Sequence, residues 1–173
     1  MRQIGIEPAR IFAPDIDETP HPAETPLEYA RRMALAKLEL AKLVPAEGFC
    51  IAADTVVAAG RRILHKTATA TEAEAYLRLL SGRRHKVFTG LAVRAPDGRA
   101  ASRVVASVVG FARLDEPQIR GYLASGEWEG KAGGYAIQGR AAAFIDFLSG
   151  SYSAVVGLPL HETAALLRGL GYR

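Results

Sequence analysis

The chain has 173 residues, 49% of them hydrophobic and 23% charged, and a formal net charge of +4. This length and apolar content suit one domain with a sizeable core and exclude a disordered polypeptide. The positive charge is scattered, as in Arg31-Arg32, Arg61-Arg62 and Arg83-Arg84, which favours a small anionic ligand or a mildly basic surface over a nucleic-acid groove.

The first predicted element is a helix. Thr25 and Glu28 form a capping-box pattern around Pro26, and the helix runs to about Leu43 with Leu27, Ala30, Ala34, Leu38 and Ala41 on its apolar face. Lys37 falls in the same angular sector, an unusual place for an ammonium unless it reaches a cavity or snorkels. Phe49 to Val57, rich in Ile, Val and Ala without alternation, reads as a central strand buried on both faces. After a hairpin-like Gly60 to Leu64, Thr71 and Glu74 suggest a second capping box. It opens a helix with Ala73, Tyr76, Leu77 and Leu80 inward, ended by Gly82.

Lys86 to Arg94 and Arg103 to Phe111 alternate and flank Pro96-Asp97-Gly98, the pattern of an antiparallel hairpin. Asp115 caps a short helix with Ile119, Tyr122 and Leu123 inward, stopped at Gly126. Beyond a glycine-dense run from Gly130 to Gly139 come a strand, Ala142 to Leu148, and a helix from about Pro159 to Leu170 with Leu160, Ala164 and Leu167 on one side. The consequence is a mixed α/β chain without repeats or linkers, read as one domain over residues 1–173.

Cys50 is the only cysteine and sits within the apolar run Phe49-Cys50-Ile51-Ala52-Ala53. It excludes an intrachain disulfide and cysteine-type metal clusters, reads as a structural thiol, and points to a reducing, cytoplasmic setting. No apolar stretch reaches membrane-spanning length, and Arg2 is not followed by the apolar core of a signal peptide.

Asp54 is the most informative single residue. A carboxylate directly after four apolar positions, at the end of a central strand, must be paired, metal-bound or catalytic to offset its desolvation, although capping of a nearby loop is an open alternative. Lys66 taken alone reads as a solvated lysine. Ser81-Gly82-Arg83-Arg84-His85 reads as a helix end with its complement of charge. His21, His65, His85 and His161 lack zinc-ligand spacing. The run Gly130-Lys131-Ala132-Gly133-Gly134-Tyr135-Ala136-Ile137-Gln138-Gly139 is either a surface turn or a small-ligand loop. In the second case Lys131 would meet phosphate and the Gln138 amide would read a base edge.

Taken in order, several pieces form a series: Lys37 on a helix, Asp54-Thr55, Lys66, Ser81-Gly82 with His85 and Thr89, the Lys131 to Gly139 run, and Gly150-Ser151-Tyr152-Ser153-Ala154-Val155-Val156-Gly157-Leu158-Pro159-Leu160. Over nearly the whole chain this series resembles the Maf family of nucleotide pyrophosphatases. The resemblance implies an elongated α/β fold, related to inosine triphosphate pyrophosphatases, with two lobes around a central cleft. It also implies hydrolysis of nucleoside triphosphates to monophosphate and pyrophosphate with a divalent cation, Mg2+ or Mn2+, by a homodimer.

By the same resemblance Asp54 would be the catalytic acidic residue, taking a proton from water or holding the metal, and Asp17 or Glu18 would help hold magnesium. Thr55 and Gln138 would set base specificity, and Lys37, Lys66 and Lys131 would neutralise the triphosphate. The wording of the Lys131 to Gly139 run is similar to the branch acting on dTTP and UTP rather than on 7-methyl-GTP. A glutamine amide complements a pyrimidine's carbonyl and imide edge. A nucleotide-binding regulator of cell division and septum formation is the contrasting expectation.

Two departures from the family pattern stand out. His65-Lys66-Thr67 replaces the usual Gly-Lys-Pro, which leaves the reach of Lys66 open. Members also open with a strand and a Ser-x-x-Arg loop before a segment like Ile4-Gly5-Ile6, where this chain begins. The resemblance therefore implies either an upstream start or a shortened chain with an exposed sheet edge.

Overall fold

In the computed structural model, residues 1–41 and 48–173 are described. Helix α1, Pro26–Leu40, starts where expected: the Thr25 hydroxyl accepts from the Glu28 backbone N–H while Glu28 accepts from that of Thr25. Its expected extension to Leu43 lies outside the described residues. The buried stripe is Tyr29, Ala30, Met33, Ala34 and Leu38, whereas Leu27 is exposed, so the inward face is turned toward Tyr29 and Met33 from the one expected.

Strands β1, Cys50–Ala59, and β2, Arg62–Leu64, are followed by helix α2, Ala70–Leu80. The capping box of α2 is Thr69 with Glu72, two residues earlier than the Thr71 and Glu74 pattern suggests. Both pairs satisfy the same spacing rule. Glu74 instead pairs with Arg78 one turn on, at 2.8 Å. Strands β3, Arg84–Arg94, and β4, Ala100–Phe111, form the expected hairpin but start earlier, because cross-strand pairing runs from Arg84↔Gly110 to Arg94↔Ala100. Helix α3, Glu116–Ala124, carries the expected Asp115 cap. Strand β5 is only Ile145–Ser149, since Arg140–Phe144 winds into a 3-10 helix where a strand was expected. A short α4, Tyr152–Val156, precedes α5, Leu160–Gly169, whose buried residues are Thr163, Leu166 and Leu167 rather than Leu160 and Ala164.

The sheet order is β2-β1-β3-β4-β5 with every pairing antiparallel, flanked by helices: an α/β fold. β3, not β1, is the central strand. β2 covers only Val57–Ala59 of β1, and among the described residues no strand pairs with Cys50–Val56 on the side away from β3.

Alternation along β1 sends successive side chains to opposite faces. Val56 and Ala58 pack with Tyr29, Ala30 and Met33 of α1 on one face. On the other, Val57 joins Val87, Val109 and Phe111 beneath α2 and α3. Cys50 is half-buried, its sulfur near the Arg94 guanidinium at 3.7 Å.

Gly90 of β3 explains how closely α1 approaches. A Cβ there would run into the Ala30 carbonyl, so glycine lets the helix settle onto the sheet. Gly90 is the β3 residue paired with Asp54. The close approach therefore falls where α1 must deliver a side chain to Asp54.

Candidate active site

Asp54 lies in the middle of β1 rather than at a strand end, with 8% of its surface exposed. Its side chain faces α1, where the Lys37 ammonium donates to Oδ1. That ion pair accounts for a lysine in the buried sector of the helix. The same ammonium lies 3.4 Å from Glu18 Oε1, and the Lys66 ammonium donates to both Glu18 oxygens at 2.8 Å. Two carboxylates and two ammoniums thus form one network.

Glu18 stands in an extended stretch, and α1 holds that stretch in place. The Tyr29 hydroxyl donates to the Glu18 backbone carbonyl at 2.6 Å, and Arg32 donates to the Thr19 carbonyl at 3.0 Å. Asp17, the other expected metal-side carboxylate, turns away and accepts from the Thr19 backbone N–H at 2.9 Å.

The two carboxylates differ electrostatically. Burial raises the Asp54 carboxyl, and the hydrogen bond and charge of Lys37 offset this only in part, so it stays above the usual aspartate range. Burial also acts to raise Glu18, but Lys66 and Lys37 together outweigh it and hold that carboxyl below its usual range. The result is one carboxylate biased toward its charged form beside one biased toward accepting a proton.

Lys66 reaches the network because its loop is bound to the glycine run. Lys66 bridges to Ala132, and the Thr67 hydroxyl donates to the Trp128 carbonyl at 2.7 Å. The Thr67 N–H donates to the Lys131 carbonyl at 3.2 Å, a bond a proline could not make. Threonine therefore positions Lys66 by hydrogen bonding where ring rigidity would otherwise act.

The glycine run folds over the opposite face of β1. Gly133 and Gly134 have φ of 69° and 70°, with Val57 and Ala73 respectively against them. Tyr135, Ala136 and Ile137 are buried, and Gln138 is exposed at the mouth of a cavity of about 250 Å3. Asp54, Thr55, Lys66, Lys131, Gln138 and Val155 to Gly157 line that cavity. The run is a cavity wall rather than a surface turn.

His85 is not a solvated helix-end residue, as its neighbours suggest in sequence, but a buried β3 residue. Its Nε2 is 2.8 Å from the Tyr135 hydroxyl, and its Nδ1 has no hydrogen-bond partner among the described residues. Burial drives its pKa from 6.5 to about 4, so the ring is neutral. In the same segment, Arg84 stacks on the Phe147 ring at 3.8 Å, and the Ser81 hydroxyl accepts from the Leu114 N–H at 2.8 Å.

The structure thus brings Glu18, Lys37, Asp54 and Lys66 together on one side of β1. Thr55, Lys131 and Gln138 line the cavity around its unpaired edge. Tyr29, which anchors Glu18, lies outside the apolar face expected from the sequence and is found only in the fold. Among the described residues no three His, Cys, Asp or Glu side chains cluster to hold a metal. Asp54 and Glu18 are nonetheless hard oxygen donors that converge on one cation, the Lys37 ammonium. One or two carboxylates completed by phosphate oxygens suit a magnesium-type ion, so this donor set fits one.

The family model described as Maf-like protein matches residues 1–170. A dTTP/UTP pyrophosphatase from Caulobacter vibrioides is 55% identical over 173 residues, which is 100% of this chain and 90% of that protein. Proteins of the same name from Hyphomonas neptunium and Zymomonas mobilis are 56% and 52% identical, over 100% and 99% of this chain and 90% and 85% of their own lengths.

Proposed function

The chain belongs to the Maf family, and from that premise we propose that it hydrolyses dTTP and UTP to the nucleoside monophosphate and pyrophosphate. The observation that carries this reading is the position of Asp54. It is a buried carboxylate with a raised pKa, bonded to Lys37, at the edge of a cavity whose far wall carries Gln138.

Water attacks the α-phosphorus, the bond from that phosphorus to the bridging oxygen breaks, and pyrophosphate leaves. Asp54 takes the proton from the attacking water, a role its raised pKa favours. Lys37 holds the Asp54 carboxylate in place, and Lys66 and Lys131 meet the charge on the phosphate chain. Asp54 and Glu18 would hold the divalent cation, which when bound neutralises phosphate charge. Thr55 and Gln138 read the base.

Residues 1–173 act as one domain with two lobes around this cleft, as a cytoplasmic homodimer. No helix among the described residues is long and apolar enough to cross a membrane. Assay of dTTP, UTP and 7-methyl-GTP with magnesium tests the reading. Pyrophosphate from the first two, at well above the rate from the third, is the expected outcome. Preference for 7-methyl-GTP would overturn the substrate assignment, and no turnover of any of them would overturn the enzyme.

A further inference from the structure

We infer that Thr89, a residue that does not line the cavity, fixes the polarity of the Thr55 hydroxyl so that Thr55 can only accept a hydrogen bond from the base. The inference rests on the reading above, in which Thr55 faces the base. Thr89 is fully buried on β3 and sits directly across from Thr55. Its Oγ1 lies 2.7 Å from the Ala154 backbone carbonyl of α4. A carbonyl offers only lone pairs, so the single hydroxyl proton of Thr89 is committed to it. No water competes at a site with no exposed surface.

The Thr55 and Thr89 hydroxyls are 3.1 Å apart. Since the Thr89 proton is already used, Thr55 must be the donor in that pair. Its own proton is then spent toward the protein, and only lone pairs remain for the cavity. Thr55 thus reads a hydrogen-bond donor on the ligand.

Uracil and thymine carry an N–H at ring position 3, whereas cytosine has a lone pair there. An acceptor facing that position therefore selects the imide bases and repels cytosine. The surroundings favour a base rather than a sugar at this spot. Ala136, Ile137, Val155 and Val156 line the same cavity and offer apolar surface to a flat ring, while Gln138 can meet the neighbouring carbonyl. Thr89 is a positioning residue: it touches no substrate, and its effect appears in base preference.

The test compares kcat/KM for UTP and CTP in wild type, Thr89→Val and Thr89→Ser. Valine keeps the shape of threonine, and the Ala154 carbonyl retains a second donor, the Gly157 N–H at 3.0 Å. In Thr89→Val the Thr55 hydroxyl is free to donate to cytosine as well as to accept from uracil, so CTP turnover rises and the UTP-to-CTP ratio drops about tenfold or more. Thr89→Ser restores the ratio. A Thr89→Val protein that melts like wild type and keeps its ratio overturns the inference, as does a wild type with no preference for UTP over CTP.

If Thr89→Val does not fold, wild type is assayed with two analogues. Loss of turnover with N3-methyl-UTP, but not with dideoxy-TTP, agrees with an acceptor facing the imide. Undiminished turnover of N3-methyl-UTP, or a comparable loss with dideoxy-TTP that places the acceptor at the sugar, overturns it. A folded wild type that cleaves no pyrimidine triphosphate refutes the enzymatic reading itself, a result distinct from all of these.

Discussion

Lys37 and Asp54 meet across the interface between α1 and β1, at the point where Gly90 lets the helix settle onto the sheet. The pair is mostly buried, with 16% and 9% of the two side chains exposed. Removing one partner leaves a desolvated charge behind. Lys37→Met should therefore lower stability by about 3 kcal/mol, read from denaturant melts. It should also cut turnover, because the carboxylate loses the group that orients it.

The same pair sets how Asp54 titrates in the metal-free protein. Burial raises its pKa above 3.8, so it should protonate at a higher pH than an ordinary aspartate, followed by NMR of its carboxyl carbon. Lys37 lowers this pKa, so Lys37→Met should move the midpoint higher still.

His85 predicts a pH-dependent stability of its own. The ring titrates at 6.5 when unfolded and at about 4 in the fold. Between those values the unfolded chain binds the extra proton, so stability is complete above about 6.5 and falls as pH drops toward 4. His85→Phe should be less stable at neutral pH, having lost the bond to Tyr135, but its melting temperature should vary less between pH 4 and 6.5.

In the glycine run, Gly133→Ala places a side chain at φ 69°, against Val57. The expected cost is about 2 kcal/mol or more, with a raised KM for dTTP because the wall carrying Gln138 shifts. Gln138→Glu changes no backbone but loses the amide donor. It should reduce kcat/KM for UTP about tenfold or more while leaving the melting temperature unchanged.

Much of this arrangement was legible in the sequence, for identifiable reasons. Asp54 stands out because a carboxylate in an apolar strand must offset its desolvation, and Lys37 because an ammonium in an apolar sector is out of place unless it reaches a cavity or snorkels. That the two are each other's partner depends on the packing of α1 onto β3 at Gly90, which periodicity does not encode. The α2 cap was misplaced by two residues because Thr69 with Glu72 and Thr71 with Glu74 carry the same local signal. The β5 start was misplaced because Ala141 to Phe144 is apolar in either a strand or a 3-10 helix. His85 looked like a helix-end residue because its burial comes from Tyr135 and Phe111, which are distant in sequence. The chain from Thr55 through Thr89 to Ala154 joins three elements, so only cross-strand register reveals it.

Asp54→Asn tests the central claim most directly, through magnesium-supported pyrophosphate release from dTTP alongside wild type. The ionised carboxylate carries a burial cost that the amide lacks, and the Lys37 ammonium keeps a second carboxylate partner, Glu18 at 3.4 Å, so the variant should stay folded at neutral pH. Its turnover should be about a thousandfold slower. A folded Asp54→Asn protein that releases pyrophosphate at the wild-type rate would contradict the account.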